Sequence, residues 1–332
     1  MIKDIDKLKQ AIDDSQDILI VQADNPDGDS LGSALALEQI FHDMGKTPHL
    51  YCGVSIPDYL KFLPGWDRVE KEIPNKIDAT IIVDTSAHTL LEQLEKCRSL
   101  PLIASKPVIV LDHHHSVECD IPYASIVYNL PNYVATGELI YDIATQLNWP
   151  INSDSLMPLM QSILSDSMGL VTDGTTSETY RRLANMIDYG VDRTRLEEAR
   201  RQLSKMPISV FRYKAKLIER AEFFGDNNQL SIVEIPESEL FDVGTLYNPA
   251  PLILGELTMV EDISVAIALK VYKNKVTAAI RCTGDRGIAN KLAECYGGGG
   301  HAYAAGFKIE SKSIDIKKLK NEIISKAIEL LK

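Results

Sequence analysis

Pro107-Val108-Ile109-Val110-Leu111-Asp112-His113-His114-His115-Ser116 is the stretch on which the fold turns. Its first five residues are apolar and rich in β-branching, the pattern of a buried strand. The run stops at an acid, and three of the seven histidines follow in a row. In open α/β sheets, ligands collect outside the carboxyl ends of the strands. An acid and imidazoles at such an end are placed to bind a metal or a phosphate; a solvated polar turn is the ordinary alternative. Two further apolar runs weigh on the choice. Ile18-Leu19-Ile20-Val21 leads into Asp24-Asn25-Pro26-Asp27-Gly28-Asp29-Ser30, and Ala79-Thr80-Ile81-Ile82-Val83 leads into Asp84-Thr85-Ser86. Three strands therefore end in acids. Asp27 and Asp29, one residue apart on a turn, are costly neighbours unless a cation neutralises them. A capped helix start is the plainer use of the same residues.

Helical patterns separate these strands, at 4–15, from Ser30 through Phe41, and at 132–147, and more follow at 153–166 and 177–189. The β-α alternation predicts an α/β fold, an N-terminal, mainly parallel sheet flanked by helices. His49-Leu50-Tyr51-Cys52 supplies another strand. Asp166 falls inside an apolar helical pattern, where an unpaired carboxylate is expensive, and Gly169 follows as a turn that could aim it inward. Residues 191–225, rich in Arg, Lys and Glu, read as a solvated helical linker. Beyond it, strands at 230–235, 263–271 and 275–281, with helices around 238–246 and 286–296, predict a smaller C-terminal α/β domain. The expected domains are thus 1–190 and 226–332 on either side of that linker. Gly297-Gly298-Gly299-Gly300-His301 permits close backbone approach and exposes N–H groups, so it is expected to cradle an anion, with Arg281 at a strand end as a second contact.

The 332 residues are more than one ordinary core needs and suit two domains. A formal net charge of −12 excludes broad attraction to long duplex nucleic acid, but not binding of a short phosphorylated ligand through metal ions. Five dispersed cysteines without a CxxC pair fit reduced thiols. No apolar run approaches a membrane span and no apolar leader opens the chain, so a cytoplasmic protein without membrane association is expected.

Taken in order, Asn25-Pro26-Asp27-Gly28-Asp29-Ser30-Leu31-Gly32-Ser33, Val83-Asp84-Thr85-Ser86, Asp112-His113-His114, Ser165-Asp166-Ser167-Met168-Gly169 and Gly297 to Gly306 resemble the motifs of the DHH-family phosphoesterases with their associated C-terminal domain. Within that family the chain is most similar to the oligoribonuclease (nanoRNase)/pAp-phosphatase branch, over residues 1–310. The resemblance implies two divalent cations, Mn²⁺ with Mg²⁺ as the alternative. Asp27 would hold one and Asp29 the other, Asp84 would bridge, and His113 and Asp166 would complete the second. It makes Asp84, His114 and Asp112 the catalytic group, with His114 facing the substrate phosphate and Asp112 orienting the imidazoles. Arg281, Gly298, Gly299, Gly300 and His301 would grip the far end of the substrate. The implied substrates are short RNA, dinucleotides or 3′-phosphoadenosine 5′-phosphate; a homodimer is also suggested. A cyclic-dinucleotide (c-di-AMP) or pGpG phosphodiesterase is the enzymatic alternative, and a catalytically weakened nucleotide-binding protein the non-enzymatic one.

Two positions depart from the family pattern. Ala23 stands where the family places a metal-binding histidine, and Cys282 where it commonly has serine. Among residues near Ala23, Asp24 is predicted to point the other way and Asn25 is a weak donor. His88 is a candidate substitute, unless it is simply a surface residue. One well-formed site (Asp29, Asp84, His113, Asp166) and a weaker first one are expected.

Overall fold

A computed structural model describes residues 2–3, 5–114, 119–203, 205–242, 248–283, 287–311 and 313–332. His115 and Ser116 of the opening stretch, and parts of the helices expected at 238–246 and 286–296, lie outside the described residues. The chain divides into two compact units, Met1–Lys205 and Met206–Lys332.

In the first unit the elements run α1 (Ile5–Asp13), β1 (Asp17–Val21), α2 (Gly28–Asp43), β2 (Thr47–Tyr51), β3 (Ala79–Val83), α3 (Glu92–Glu95), α4 (Leu100–Ala104), β4 (Val108–Asp112), β5 (Ile126–Asn129), α5 (Thr136–Leu147), α6 (Ser153–Asp166), α7 (Ser177–Asp188) and α8 (Arg193–Leu203). The five strands form one sheet in the order β2-β1-β3-β4-β5, and every pairing is parallel. The uninterrupted apolar runs follow from this arrangement, because a parallel sheet is covered on both faces. Ile18, Ile20, Ile81, Val83, Ile109 and Leu111 pack against α2, α5 and α6. Leu19, Val21, Ile82, Val108 and Val110 pack on the opposite side with Leu91, Leu94 and Ile103. Each such side chain contributes about 1.5–3 kcal/mol by leaving water. α2 is buried from Gly28 through Leu37, so it is a central helix rather than an amphipathic surface one. The strand order reverses between β1 and β3, and there the outward-bound connections leave a crevice at the strands' carboxyl ends.

The second unit contains α9 (Ile208–Arg220), β6 (Glu222–Phe224), β7 (Leu230–Pro236), α10 (Glu237–Asp242), α11 (Pro249–Leu257), β8 (Val265–Tyr272), β9 (Lys275–Cys282), α12 (Ala289–Glu294), β10 (Gly299–His301), β11 (Ala304–Glu310) and α13 (Ile316–Leu331). Its sheet has the order β10-β11-β9-β8-β7-β6. Only β7 and β8 pair in parallel; the rest is antiparallel. Lys273 and Asn274 turn the β8–β9 hairpin, as their position between the two apolar runs predicts.

The segment 191–225 differs from the solvated linker read from its composition. Val191 and Leu196 are buried in the first unit's core, and Val210, Tyr213 and Leu217 in the second's. Charged residues dominate the count there, but a few apolar ones at helical spacing suffice to seat each helix.

Candidate metal centre

The centre is built from the ends of β1, β3 and β4 and from α6. Asp29 lies in the first turn of α2 and is fully buried. Asp84 follows β3 in the left-handed region, at φ +62°, which non-glycine residues seldom occupy outside constrained sites. That bend carries its carboxylate off the strand line and into the cluster. His113 follows β4, and Asp166 is the last residue of α6.

His113 Nε2 is the common point. It lies 3.1 Å from Asp166 Oδ2, 3.3 Å from Asp29 Oδ2 and 3.6 Å from Asp84 Oδ1. This nitrogen is buried, and none of the three oxygens stands in hydrogen-bonding geometry with it. Its other nitrogen, Nδ1, lies 3.3 Å from the Tyr133 carbonyl, an acceptor that places the ring proton on Nδ1. With the ring neutral, Nε2 presents a lone pair to three carboxylates. Four electron-rich groups converging in a buried space are compatible with a divalent cation at their centre and repel one another without it. Asp29, His113 and Asp166 form one group with metal-ligand spacing; Asp84, His113 and His114 form another.

The proton balance of the metal-free cluster carries the same signature. Burial, and then the charges of Asp29, Asp27 and Asp166, push the Asp84 carboxyl well above the usual carboxylate range. Burial likewise raises Asp166. Burial opposes the charged form of His113, but the Asp166 and Asp29 carboxylates outweigh it and hold the imidazolium up to about 10. Asp29 moves the other way, to about 2: burial works against its charge, and His113 together with Ser162 and the Thr136 amide overcome it.

Asp29 is held on all sides. Its Oδ1 accepts from Ser162 Oγ at 2.5 Å, from Ser33 Oγ at 3.2 Å and from the Gly137 amide at 3.2 Å. Its Oδ2 accepts from the Thr136 amide at 2.8 Å. The carboxylate thus serves as the anion at the N-terminus of α5. Thr136 Oγ1 also donates to Asp84 Oδ1 at 3.0 Å. Gly137 is required here, since a Cβ would fall 2.0 Å from Ser162 Oγ. Sequence reasoning misses Thr136, Gly137, Ser162 and Ser33 as parts of the site. One signal was available: Ser162 precedes Asp166 by four residues and Ser33 follows Asp29 by four, the spacing of one helix face.

The remaining expected residues divide. Asp112 is buried at the end of β4, and its Oδ1 accepts from His114 Nδ1 at 2.7 Å and from the His113 amide at 2.8 Å. His114 is half exposed beside the centre, and its bond to Asp112 holds its pKa above the ordinary value. Asp27 caps α2: its Oδ1 accepts from the Asp29 and Ser30 amides at 3.0 Å each, and Ser30 Oγ accepts from the Asp27 amide. It belongs to neither group with metal-ligand spacing found among the described residues. His88 pairs with Asp120 through Nδ1 at 2.8 Å. Ala23 is buried.

In the second unit, the expected anion cradle takes another form. The Gly297 and Gly298 amides donate to the Glu294 and Ala293 carbonyls, closing α12, so they are not free to face a ligand. Gly299, Gly300 and His301 form β10, an edge strand paired with β11. Gly300 adopts φ +139°, and a Cβ there would meet the Ala304 carbonyl at 2.6 Å. His301 pairs with Ala304, and Ala304 with Arg281, so the imidazole and the guanidinium start from one cross-strand row. Both side chains are exposed.

Residues 17–167 match the model of the DHH family, N-terminal domain. The bifunctional oligoribonuclease and PAP phosphatase NrnA of Thermus thermophilus is 28% identical over 296 residues, 88% of this chain and 83% of that protein. The cyclic-di-AMP phosphodiesterase GdpP of Geobacillus thermodenitrificans is 24% identical over 330 residues, 92% of this chain and 47% of that protein. Among solved structures, an exopolyphosphatase-related protein from Bacteroides fragilis has a TM-score of 0.82 at 18% identity, over 100% of this chain and 99% of that one; it shares the fold. Among the described residues no helix is long and apolar enough to cross a membrane.

Proposed function

We propose, from the match of residues 17–167 to the model of the DHH family, N-terminal domain, that the protein is a metal-dependent phosphohydrolase acting on short oligoribonucleotides, dinucleotides and 3′-phosphoadenosine 5′-phosphate. The observation that carries this reading is the buried His113 Nε2 facing the carboxylates of Asp29, Asp84 and Asp166 without a hydrogen-bond partner. Hard oxygen donors with one imidazole suit Mn²⁺ or Mg²⁺. Such a cation supplies Lewis-acid charge to a phosphoryl oxygen and lowers the pKa of bound water.

The chain's own residues do the rest. Asp29, Asp84, His113 and Asp166 hold the cation. Asp112 accepts the Nδ1 proton of His114, which leaves the His114 Nε2 side, half exposed, to meet the substrate's phosphate. Arg281 and His301, with the Gly299-Gly300 edge strand, are assigned to binding of a substrate anion. Short substrates fit the net charge of −12, which works against a long polyanion. The similarity to the T. thermophilus protein over 88% of this chain favours oligoribonucleotide and 3′-phosphoadenosine 5′-phosphate substrates.

The test is turnover of pApA, 3′-phosphoadenosine 5′-phosphate and c-di-AMP by the purified protein with Mn²⁺, beside Asp84→Asn. Hydrolysis of either of the first two, lost in the variant, is expected. Preference for c-di-AMP would replace the substrate assignment. Binding of all three without turnover would make the protein a nucleotide binder and end the hydrolase reading.

A further inference from the structure

We propose that the substrate-free protein holds a single divalent cation, ligated by Asp29, Asp84, His113 and Asp166, and that Asp27 acts as a helix cap rather than as a ligand. The inference rests on the metal-binding part of the function proposed above and deepens it.

Donor counting is the starting point. The two groups with metal-ligand spacing share His113, and one imidazole nitrogen ligates one ion. Of the two members unique to the second group, Asp84 lies 3.6 Å from the shared His113 Nε2, and His114 has its Nδ1 committed to Asp112 at 2.7 Å. The two groups therefore meet at His113 Nε2 and describe one centre seen from two sides.

A second cation, on the far side of Asp84, would draw its ligands from the turn after β1. Each candidate there is engaged elsewhere. Ala23 offers only a methyl, and its carbonyl accepts from Cys52 Sγ at 3.4 Å. Asp24 is fastened away from the centre: its amide donates to the Leu90 carbonyl at 2.8 Å, and its Oδ2 accepts from the Gln93 amide at 2.9 Å. Asn25 is exposed. His88 is paired with Asp120 by both its ring and its amide. Asp27 has one oxygen in the α2 cap, which a ligand role would have to preserve or forfeit. What remains is the second Asp27 oxygen, a share of Asp84 and the half-exposed Nε2 of His114. Two carboxylate oxygens with one solvent-facing imidazole make a poor site beside a buried four-ligand neighbour, and the two ions would repel across Asp84.

MnCl₂ titration followed by calorimetry and by elemental analysis after desalting measures the stoichiometry directly, independent of turnover. One Mn²⁺ per chain is expected, with the six-line electron paramagnetic resonance signal of an isolated ion. Asp27→Asn, which caps a helix as well as aspartate, should keep one equivalent and an affinity within about twofold. Asp166→Asn should weaken binding by more than about tenfold. Ala23→His should add a second equivalent. Two equivalents or an exchange-coupled signal in the parent would overturn the proposal, as would loss of the ion in Asp27→Asn with the fold intact by circular dichroism. Absence of any Mn²⁺ binding would overturn this proposal and the metal reading together. One bound ion without hydrolysis would uphold the stoichiometry and remove only the hydrolase assignment.

Discussion

The buried cluster around His113 and the exposed row of His301 and Arg281 are both histidine-bearing places at strand ends, built on opposite principles. Around His113 three of the four groups are held from outside the cluster: Asp29 by four protein donors, Asp84 by Thr136, His113 by the Tyr133 carbonyl. Around His301 the glycines serve the packing of β10 on β11, and the polar side chains stand in solvent. The difference teaches that a site for a small hard cation is prepaid in the fold. The exposed edge, proposed above to meet a larger flexible anion, is left loose and would gain its order on contact.

The comparison predicts a graded series of effects. The largest belongs to the cluster: Asp84→Asn, which keeps a residue tolerant of positive φ, should lower kcat/KM by about 1,000-fold, the scale of several kcal/mol of lost charge stabilisation. Steady-state kinetics on pApA with Mn²⁺ check it, and a loss under tenfold would break the claim that the cluster carries the chemistry.

Next comes the outer support. Arg182 of α7 bonds Asp142 at 2.7 and 2.6 Å and Glu138 at 3.0 Å, and Tyr133 Oη donates to Asp142 at 2.9 Å. Glu138 in turn accepts from the Val134 amide at 2.9 Å. This clamp sets the 133–134 backbone whose carbonyl orients His113. Arg182→Gln should therefore weaken Mn²⁺ binding about 10–100-fold by calorimetry while circular dichroism stays native. Unchanged affinity would show that His113 is not positioned from behind.

pH sharpens the same point. His113, held up to about 10, keeps its proton at neutral pH in the metal-free protein, and burial beside other carboxylates raises Asp84 in the same sense. Binding must displace the His113 proton, so Mn²⁺ affinity should rise with pH, by about tenfold per unit for each proton released. Metal-free stability has its own sign. The folded pKa of His113 lies above its unfolded value, so its pairing contributes fully below about 6.5 and is lost as pH rises through about 10. Calorimetry in buffers of different ionisation heats counts the protons; a count of zero contradicts the assignment. The smallest effect belongs to the exposed row: His301→Ala should raise KM for a dinucleotide about tenfold or less, leaving kcat and Mn²⁺ affinity in place. An equal fall in kcat would mean the row is not the loose partner described.

What was legible in the sequence follows the same division. The strands ending at Val21, Val83 and Asp112 are readable because a two-faced parallel sheet demands unbroken apolar runs, and acids after three of them have no core role. β5 is hard to read: it is four residues long with Val127 exposed, so it shows no run at all. β11 begins Ala304-Ala305-Gly306, small residues that look like a continuation of the glycine stretch. In the site, Asp29, Asp84, His113 and Asp166 announce themselves as charges placed where burial is costly. Thr136, Ser162 and Arg182 do not, because hydroxyls and arginines are ordinary on helices and acquire meaning only from partners distant in sequence. The basic composition of 191–225 misdirects for a related reason: composition counts every residue, whereas seating a helix takes two or three.

Asp29 and its donors also set a schedule. Thr136 and Ser162 lie 107 and 133 residues further along the chain. At typical rates of synthesis they emerge from the ribosome on the order of ten seconds after Asp29 does. Until then the aspartates of the first turn are ordinary solvated side chains, with no means of retaining an ion. Under the metal reading proposed above, cation capture is deferred until α5 and α6 have docked, and a loaded centre would report that these two helices are in place.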